Sequence, residues 1–455
     1  MRRPNILYIH SHDTGRYVQP YGHAVHTPNI QRLAEEAVVF RQAYCAAPTC
    51  SPSRAALLTG QCPHSCGQLG LANLGFYLRD TDKHLAHTLR AHNYYTALYG
   101  VQHLHLEPEL LGYDRIVEAK KRAASCPQSD VSSDTTNNVR DFLNNTPAQP
   151  FFLTVGFPET HREFPSPGAE ENPLYCMPPS PLPDTPEIRE DMAAYKASAR
   201  ILDNNIGAIL KTLDDCGLAE NTLVICTTDH GLAFPNMKCN LNDHGTGVML
   251  IMRGPGGFQG GKVCDALVSQ IDIYPTLCEL LAIEPPDWLE GHSLMPLMRN
   301  EKDEINNEIF AEINYHAGYQ PMRSLRTTRW KYIRHFSDYP KKYVINVDSS
   351  LSRDFLLKHG WEDRSEMNEE IYDLVIDPNE VNNLADDQVY AEILMEMRER
   401  LDQWMQKTND PLLKGEVPAP KEAIIAEPYE RDLNKQREKY PPHPWDTRER
   451  IDNRS

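Results

Sequence analysis

Short apolar runs alternate with helical patterns through roughly the first 300 residues, and this alternation constrains the fold more than any other feature of the chain. The strand candidates lie at residues 5–10, 150–157, 223–228 and 248–252. Their apolarity is continuous rather than alternating, which is typical of strands buried on both faces of a sheet. Apolar side chains recur at helical spacing at Tyr195, Ala199, Leu202, Ile206, Ile209 and Leu213. The pattern predicts an α/β fold in which helices cover a mostly parallel sheet.

The pattern changes at about residue 310. Residues 329–334 alternate aromatic and charged side chains, which predicts an antiparallel hairpin. A final amphipathic helix is predicted from the apolar positions Ile393, Leu394, Met397, Leu401 and Trp404. Beyond about residue 415 the chain is proline-rich and charged, and we expect it to wrap the surface or to be loosely held. We therefore expect an α/β domain at residues 1–310, an α+β subdomain at 311–415 and a tail at 416–455.

Composition and charge exclude several classes of protein. With 455 residues, 40% of them hydrophobic and 24% charged, the chain can build a large core and is not disordered. Its longest apolar runs are too short to cross a membrane, and a formal charge of −18 disfavours nucleic acid and anionic membranes as partners. Eleven cysteines, none in the C-terminal third, do not form a disulfide framework. The N-terminus has no signal-peptide pattern, so we expect a cytoplasmic protein, although a chain trimmed of a signal peptide would look the same. Nothing in the sequence predicts an oligomeric state.

The most specific string in the chain is Cys-Ser-Pro-Ser-Arg at residues 50–54, followed by Ala-Ala-Leu-Leu-Thr-Gly. It places Cys50 at a helix start, where free N–H groups and the positive end of the helix dipole favour an anion, with Arg54 one turn further along. Cys-x-Pro-x-Arg followed by Leu-Thr-Gly resembles the signature of the type I sulfatases of the alkaline phosphatase superfamily. The resemblance covers about residues 4–415. It implies an alkaline-phosphatase-like sandwich with a large, mostly parallel sheet and a smaller C-terminal antiparallel sheet.

This resemblance also implies the chemistry of position 50. In the family the cysteine is oxidised to formylglycine, so Cys50 would carry the nucleophile as an aldehyde hydrate. A formylglycine-generating enzyme is then an implied partner.

Two predicted strand ends carry residues that resemble the metal ligands of the family. His12 and Asp13 follow the first strand, and Asp229 and His230 follow the strand that ends at Thr228. The carboxyl ends of parallel strands meet at one edge of a sheet, so we expect the four residues to lie close together. The resemblance implies that they bind one divalent metal together with Cys50. His12 departs from the family pattern, which has an acidic residue there. Calcium comes first by resemblance, but two imidazoles favour manganese or zinc.

Three more positions resemble catalytic residues of the family. In Gly-Val-Gln-His at 100–103, His103 matches the histidine that interacts with the formylglycine hydrate, while Val101 replaces the usual lysine. His161 follows a buried strand and matches the histidine that faces the leaving group, and Lys238 matches the cation that contacts sulfate. The implied mechanism is covalent catalysis in two steps. In the first step the hydrated aldehyde attacks sulfur, while the metal and Arg54 neutralise the charge of the sulfate oxygens. His161 and Lys238 supply the proton to the leaving atom. In the second step His103 promotes the release of sulfate.

Strings at residues 227–235 and 269–276 resemble the N-sulfoglucosamine sulfohydrolases, or sulfamidases, within the family. The predicted substrate is therefore a sugar that carries a sulfamate or an O-sulfate. Two alternatives stay open: a phosphodiesterase or phosphonate monoester hydrolase of the same superfamily, and an unmatured protein that binds an anion or sugar without turnover. We expect the sugar to be read by residues 165–183 and by the C-terminal region, for example by His316 or Arg323.

Overall fold

The computed structural model describes residues 3–118, 128–145 and 147–431. Its strands are β1 (Asn5–Ser11), β2 (Val38–Phe40), β3 (Ala43–Tyr44), β4 (Tyr95–Gly100), β5 (Arg115–Glu118), β6 (Phe151–Gly156), β7 (Thr222–Thr228), β8 (Leu250–Arg253), β9 (Lys262–Cys264), β10 (Val268–Ser269), β11 (Ile309–Tyr315), β12 (Tyr319–Arg326), β13 (Trp330–His335) and β14 (Glu369–Asp373). Its α-helices are α1 (Pro28–Glu36), α2 (Cys50–Thr59), α3 (Pro63–Cys66), α4 (Leu85–Ala91), α5 (Gln128–Asn144), α6 (Pro186–Asp215), α7 (Asp243–Thr246), α8 (Ile273–Leu280), α9 (Met295–Met298), α10 (Leu351–Lys358) and α11 (Ala391–Lys407).

Eight strands form the central sheet, in the order β5-β4-β6-β1-β7-β8-β2-β9. The strands β4, β6, β1 and β7 are parallel neighbours, which confirms the predicted parallel sheet. Every residue of β1, β6 and β7 is buried, as their continuous apolarity predicts. The apolar side chains of α6 pack on one face and those of α8 on the other. The sheet is therefore the middle layer of an α/β sandwich.

The predicted strand at residues 248–252 forms as β8, which runs antiparallel to β7. A buried apolar run does not encode strand direction, so the sequence could not show this reversal. No helix in the described ranges is long and apolar enough to cross a membrane.

The second sheet is antiparallel and has the order β11-β12-β13-β14. The predicted hairpin is β12 paired with β13. The helix α11 covers this sheet with Leu394, Met397, Leu401 and Trp404, as its apolar spacing predicts. After α11, the described part of the tail runs back along the surface, where Ile424 donates its N–H to the carbonyl of Leu74. The predictions for residues 432–455 lie outside the described residues.

Candidate active site

The carboxyl ends of β1 and β7 deliver two carboxylates to one point, because the two strands are parallel neighbours. Asp13 follows β1 and adopts a left-handed backbone conformation, with φ of 51°. Its N–H donates to Asp229 Oδ1 at 2.8 Å, and Asp229 follows β7. His230 places Nε2 3.2 Å from Asp13 Oδ1 and 3.7 Å from Asp229 Oδ2. The two strand ends thus meet as the sequence predicts.

Cys50 begins α2, a helix whose ten residues are all buried. Its Sγ lies 3.3 Å from His230 Nε2 and 4.0 Å from Asp13 Oδ1. Burial raises the pKa of the thiol well above its usual value. The unmodified side chain is therefore held as a neutral thiol rather than as a thiolate nucleophile.

Arg54 lies behind the carboxylates. Its Nη2 donates to Asp229 Oδ2 at 2.9 Å and to the carbonyl of Ser11 at 3.0 Å, while Nη1 contacts His10 Nδ1. Burial and the nearby guanidinium lower the pKa of His10 well below its usual value, so this ring is neutral. Arg54 does not line the cleft above Cys50. Its described contacts orient Asp229.

Lys238 bridges two carboxylates. Its Nζ lies 2.9 Å from Asp13 Oδ2 and 3.1 Å from Asp348 Oδ2. Burial alone would favour the neutral amine, but Asp13 and Asp348 raise the pKa of Lys238 well above its usual value. The lysine is therefore a permanent cation beside Cys50.

Sequence reasoning missed Asp348. It lies in an irregular segment before α10, where no periodicity or local motif distinguishes it from a surface aspartate.

A divalent metal fits among these side chains. One ligand atom from each of His12, Asp13, Cys50 and Asp229 can be chosen so that all four lie within 4.8 Å of one another. His12 Nδ1 is buried and has no hydrogen-bond partner among the described residues, and it lies 3.4 Å from Asp229 Oδ2. Burial lowers the pKa of His12 well below its usual value, so its ring is neutral, as a metal ligand must be. A buried, unpartnered imidazole nitrogen beside two carboxylates is an incomplete polar network that a metal ion completes.

His103 and His161 line the cleft above Cys50. His103 adopts a left-handed conformation, with φ of 48°, and its Nε2 lies 3.1 Å from Asn73 Oδ1. Burial lowers the pKa of His103 to about 3. His161 is one-third exposed, with Nε2 4.0 Å from Asp13 Oδ2 and Nδ1 against the carbonyl of Arg162. Asn73 was also missed by sequence reasoning, because it approaches from a separate 3-10 turn.

The cleft has a volume of about 230 Å³. One wall comes from the start of α2 and from loops that follow the central strands, and the other comes from His316, Asp348 and Arg353 of the C-terminal part. The segment 165–183 does not line it. Arg323 does not either, because its guanidinium is fully buried against Asp410. His316 is the suggested sugar-reading residue that reaches the cleft.

The fold and site are those of a hydrolase of sulfuric esters. The sulfatase family matches residues 4–283, and an N-sulphoglucosamine sulphohydrolase C-terminal family matches residues 237–348. The chain therefore belongs to the sulfatase family. Membership implies a divalent metal and a formylglycine, for which the residues described above are suited.

Three relatives illustrate the similarity. The chain is 28% identical to the human N-sulphoglucosamine sulphohydrolase, with 90% of this chain and 91% of the relative covered. It is 26% identical to a Delta 4,5-hexuronate-2-O-sulfatase of Bacteroides thetaiotaomicron, with 90% of each covered. The solved structure of a 2-O GAG sulfatase superimposes with a TM-score of 0.73 at 24% identity, covering 92% of this chain and 95% of the other. That match confirms the sulfatase fold.

Proposed function

We propose that the protein hydrolyses a sulfate ester or sulfamate on a terminal sugar residue, through a formylglycine formed at Cys50. The observation that carries the proposal is the position of Cys50, at a helix start within 4.0 Å of both Asp13 and His230, on the floor of a small cleft that Lys238 also lines. Formylglycine at this position would supply an oxygen nucleophile in place of the protonated sulfur.

We propose that Asp13, Asp229 and His12 hold the metal, with His230 beside them. A bound divalent cation supplies stabilisation of the negative charge that develops on the sulfate oxygens. The unpartnered Nδ1 of His12 supports a ligand set that includes nitrogen. Calcium strongly prefers oxygen, whereas manganese and zinc accept imidazole. We therefore propose manganese or zinc rather than the calcium that the resemblance places first.

The remaining roles follow from the contacts of each side chain. Lys238 remains charged and faces the cleft, so it would bind a sulfate oxygen directly. Arg54 would act as a positioning residue, because its contacts reach Asp229 and not the cleft. His161 Nδ1–H can donate to the carbonyl of Arg162, which leaves Nε2 facing the cleft. When Nε2 is protonated as well, the imidazolium would deliver that proton to the leaving atom and return to the neutral ring. His103, which is neutral, can accept a proton near position 50 when sulfate departs.

The substrate class is supported by two observations. Relatives at 25–28% identity that cover most of the chain are named for N-sulphoglucosamine, ulvan and hexuronate-2-O-sulfate, which are sulfated sugars or sugar polymers. The cleft volume of about 230 Å³ is below the range of roughly 300–1,000 Å³ typical of sites for larger ligands. A cleft of this size suits one sulfated sugar residue at a chain end.

The test is ion chromatography of the sulfate and phosphate released from N-sulfoglucosamine, from O-sulfated sugars and from a phosphate diester. The protein is co-expressed with a formylglycine-generating enzyme, and formylglycine is quantified by mass spectrometry. We expect sulfate release that Cys50→Ala abolishes, while the matched control Cys216→Ala at the end of α6 leaves it unchanged. Phosphate release alone would assign the chain to the diesterase alternative. Full activity of Cys50→Ala would refute the role of Cys50.

A further inference from the structure

His316 reaches the cleft from the tip of the hairpin between β11 and β12. The side chain of Asn346 fixes this tip: its Oδ1 accepts the N–H groups of Ala317 at 3.0 Å and Gly318 at 2.8 Å, and its Nδ2 donates to Gln320. His316 is nine-tenths buried and lines the same cleft as Cys50 and Lys238. The hairpin therefore holds an imidazole at a fixed place above the predicted nucleophile.

One ring nitrogen of His316 is already used. Thr49 is the N-cap residue of α2, yet its hydroxyl makes no capping bond to the helix. Instead, Thr49 Oγ1 lies 2.7 Å from His316 Nδ1. If the hydroxyl donates to Nδ1, then Nε2 carries the ring proton, and Nε2 is the polar atom that the side chain can present to the cleft. Burial, with Lys238 next in importance, lowers the pKa of His316 to about 3, so the ring is a neutral donor.

We propose, on the basis of the proposed function, that His316 binds the sulfate group of the substrate: Nδ1 accepts the Thr49 hydroxyl, and Nε2–H donates to a sulfate oxygen. Thr49 precedes Cys50 in sequence, so the imidazole that it orients lies next to the reacting position. The C-terminal part of the chain then contributes a contact to the reacting group itself. A purely structural histidine would need only the bond to Thr49.

Two substitutions separate these roles. In His316→Asn the amide takes the place of Nδ1, which keeps the bond to Thr49 and removes the donor to the cleft. In His316→Gln the amide reaches the place of Nε2, which keeps the donor and removes the bond to Thr49. If His316 binds sulfate, His316→Gln retains activity within several-fold of wild type. A lost hydrogen bond to a charged group then lowers kcat/KM of His316→Asn by roughly 10- to 100-fold.

Titration calorimetry with inorganic sulfate on the matured, metal-loaded enzyme is the second measurement. We expect wild type and His316→Gln to bind sulfate with similar Kd, and His316→Asn to bind roughly 10- to 100-fold more weakly. Circular dichroism and Tm of each variant test the fold. Equal loss of sulfate binding in both variants, or no loss in His316→Asn, would overturn the proposal.

Failure of the proposed function is a separate result. Wild type that releases no sulfate from any sugar refutes that function, while the calorimetric comparison of the two variants still tests His316.

Discussion

Arg323 is the side chain whose removal we expect to destabilise the protein most without touching the cleft. It is fully buried, and it donates Nε to Asp410 Oδ2 at 2.5 Å and Nη2 to Asp410 Oδ1 at 2.9 Å. The guanidinium also donates to the carbonyls of Ile313 and Met322, and Glu312 Oε2 lies 3.7 Å away. Arg323→Met keeps much of the volume but takes the guanidinium away from the buried carboxylate of Asp410, which then has, among the described residues, only the more distant His64, with Nδ1 at 4.0 Å, as a basic neighbour.

The expected cost follows from the loss of this buried ion pair. Breaking a buried ion pair by removing one partner destabilises a protein by about 3–5 kcal/mol. Urea unfolding, followed by far-UV circular dichroism, should therefore shift its midpoint downwards by on the order of 1 M. The matched control is Arg189→Met, whose guanidinium pairs with Asp184; their side chains are 34% and 49% exposed, so the midpoint should stay nearly unchanged.

A double substitution and an activity assay complete the test. Arg323→Met with Asp410→Leu removes both charges, so we expect it to recover part of the lost stability. At a temperature where Arg323→Met is folded, kcat/KM should match that of wild type, because Arg323 does not reach the cleft. Equal urea midpoints for Arg323→Met and Arg189→Met would refute the reasoning. A selective rise in KM would restore Arg323 as a sugar-reading residue.

Three further predictions concern the metal, the cleft and acid stability. His12→Asp gives an all-oxygen ligand set. After a chelator has removed the metal, calcium should therefore reactivate this variant better than manganese, whereas manganese should be the better ion for wild type. The same preference in both proteins would remove His12 from the ligand set. Asp348→Asn weakens the hold on Lys238 and should raise KM by roughly tenfold, while the exposed control Asp386→Asn should not. Burial lowers the pKa of His84 to about 3 from an ordinary 6.5, so the unfolded chain takes up the proton first and stability is lost as pH falls from about 6.5 towards 3. His84→Asn can still accept the N–H of Ala86, and it has no group that titrates in this range. Between pH 7 and pH 5 its free energy of unfolding, measured in urea, should therefore fall by about 2 kcal/mol less than that of wild type. An equal fall in both proteins would contradict the lowered pKa.

The parts that the sequence predicts are those with a local signal. The buried strands β1, β6 and β7 are continuous apolar runs, and the residues after two of them meet because parallel strands end at one edge. Cys50 belongs to the Cys-x-Pro-x-Arg motif, which is specific enough to indicate its family and its place at a helix start. The direction of β8 has no such signal, since an apolar run reads the same for parallel and antiparallel pairing.

The parts that the sequence does not predict depend on contacts between distant segments. Asp348 comes from the connections of the second sheet, and only the packing of that sheet against the central one brings it to Cys50. Arg323 illustrates the opposite error. Its charge suggested a ligand-binding residue, but its burial against Asp410 is a property of the folded state.

The balance of charge around Cys50 explains why an acidic protein can bind an anion at this place. The described core of the site holds three carboxylates, Asp13, Asp229 and Asp348, against two permanent cations, Arg54 and Lys238. The nearby imidazoles of His12, His103 and His316 have lowered pKa values and add no charge. This core alone is therefore net negative, like the chain as a whole at −18. A bound divalent cation would reverse the sign of this core. Neutral donors such as His316 would then select the position of sulfate without adding to the charge.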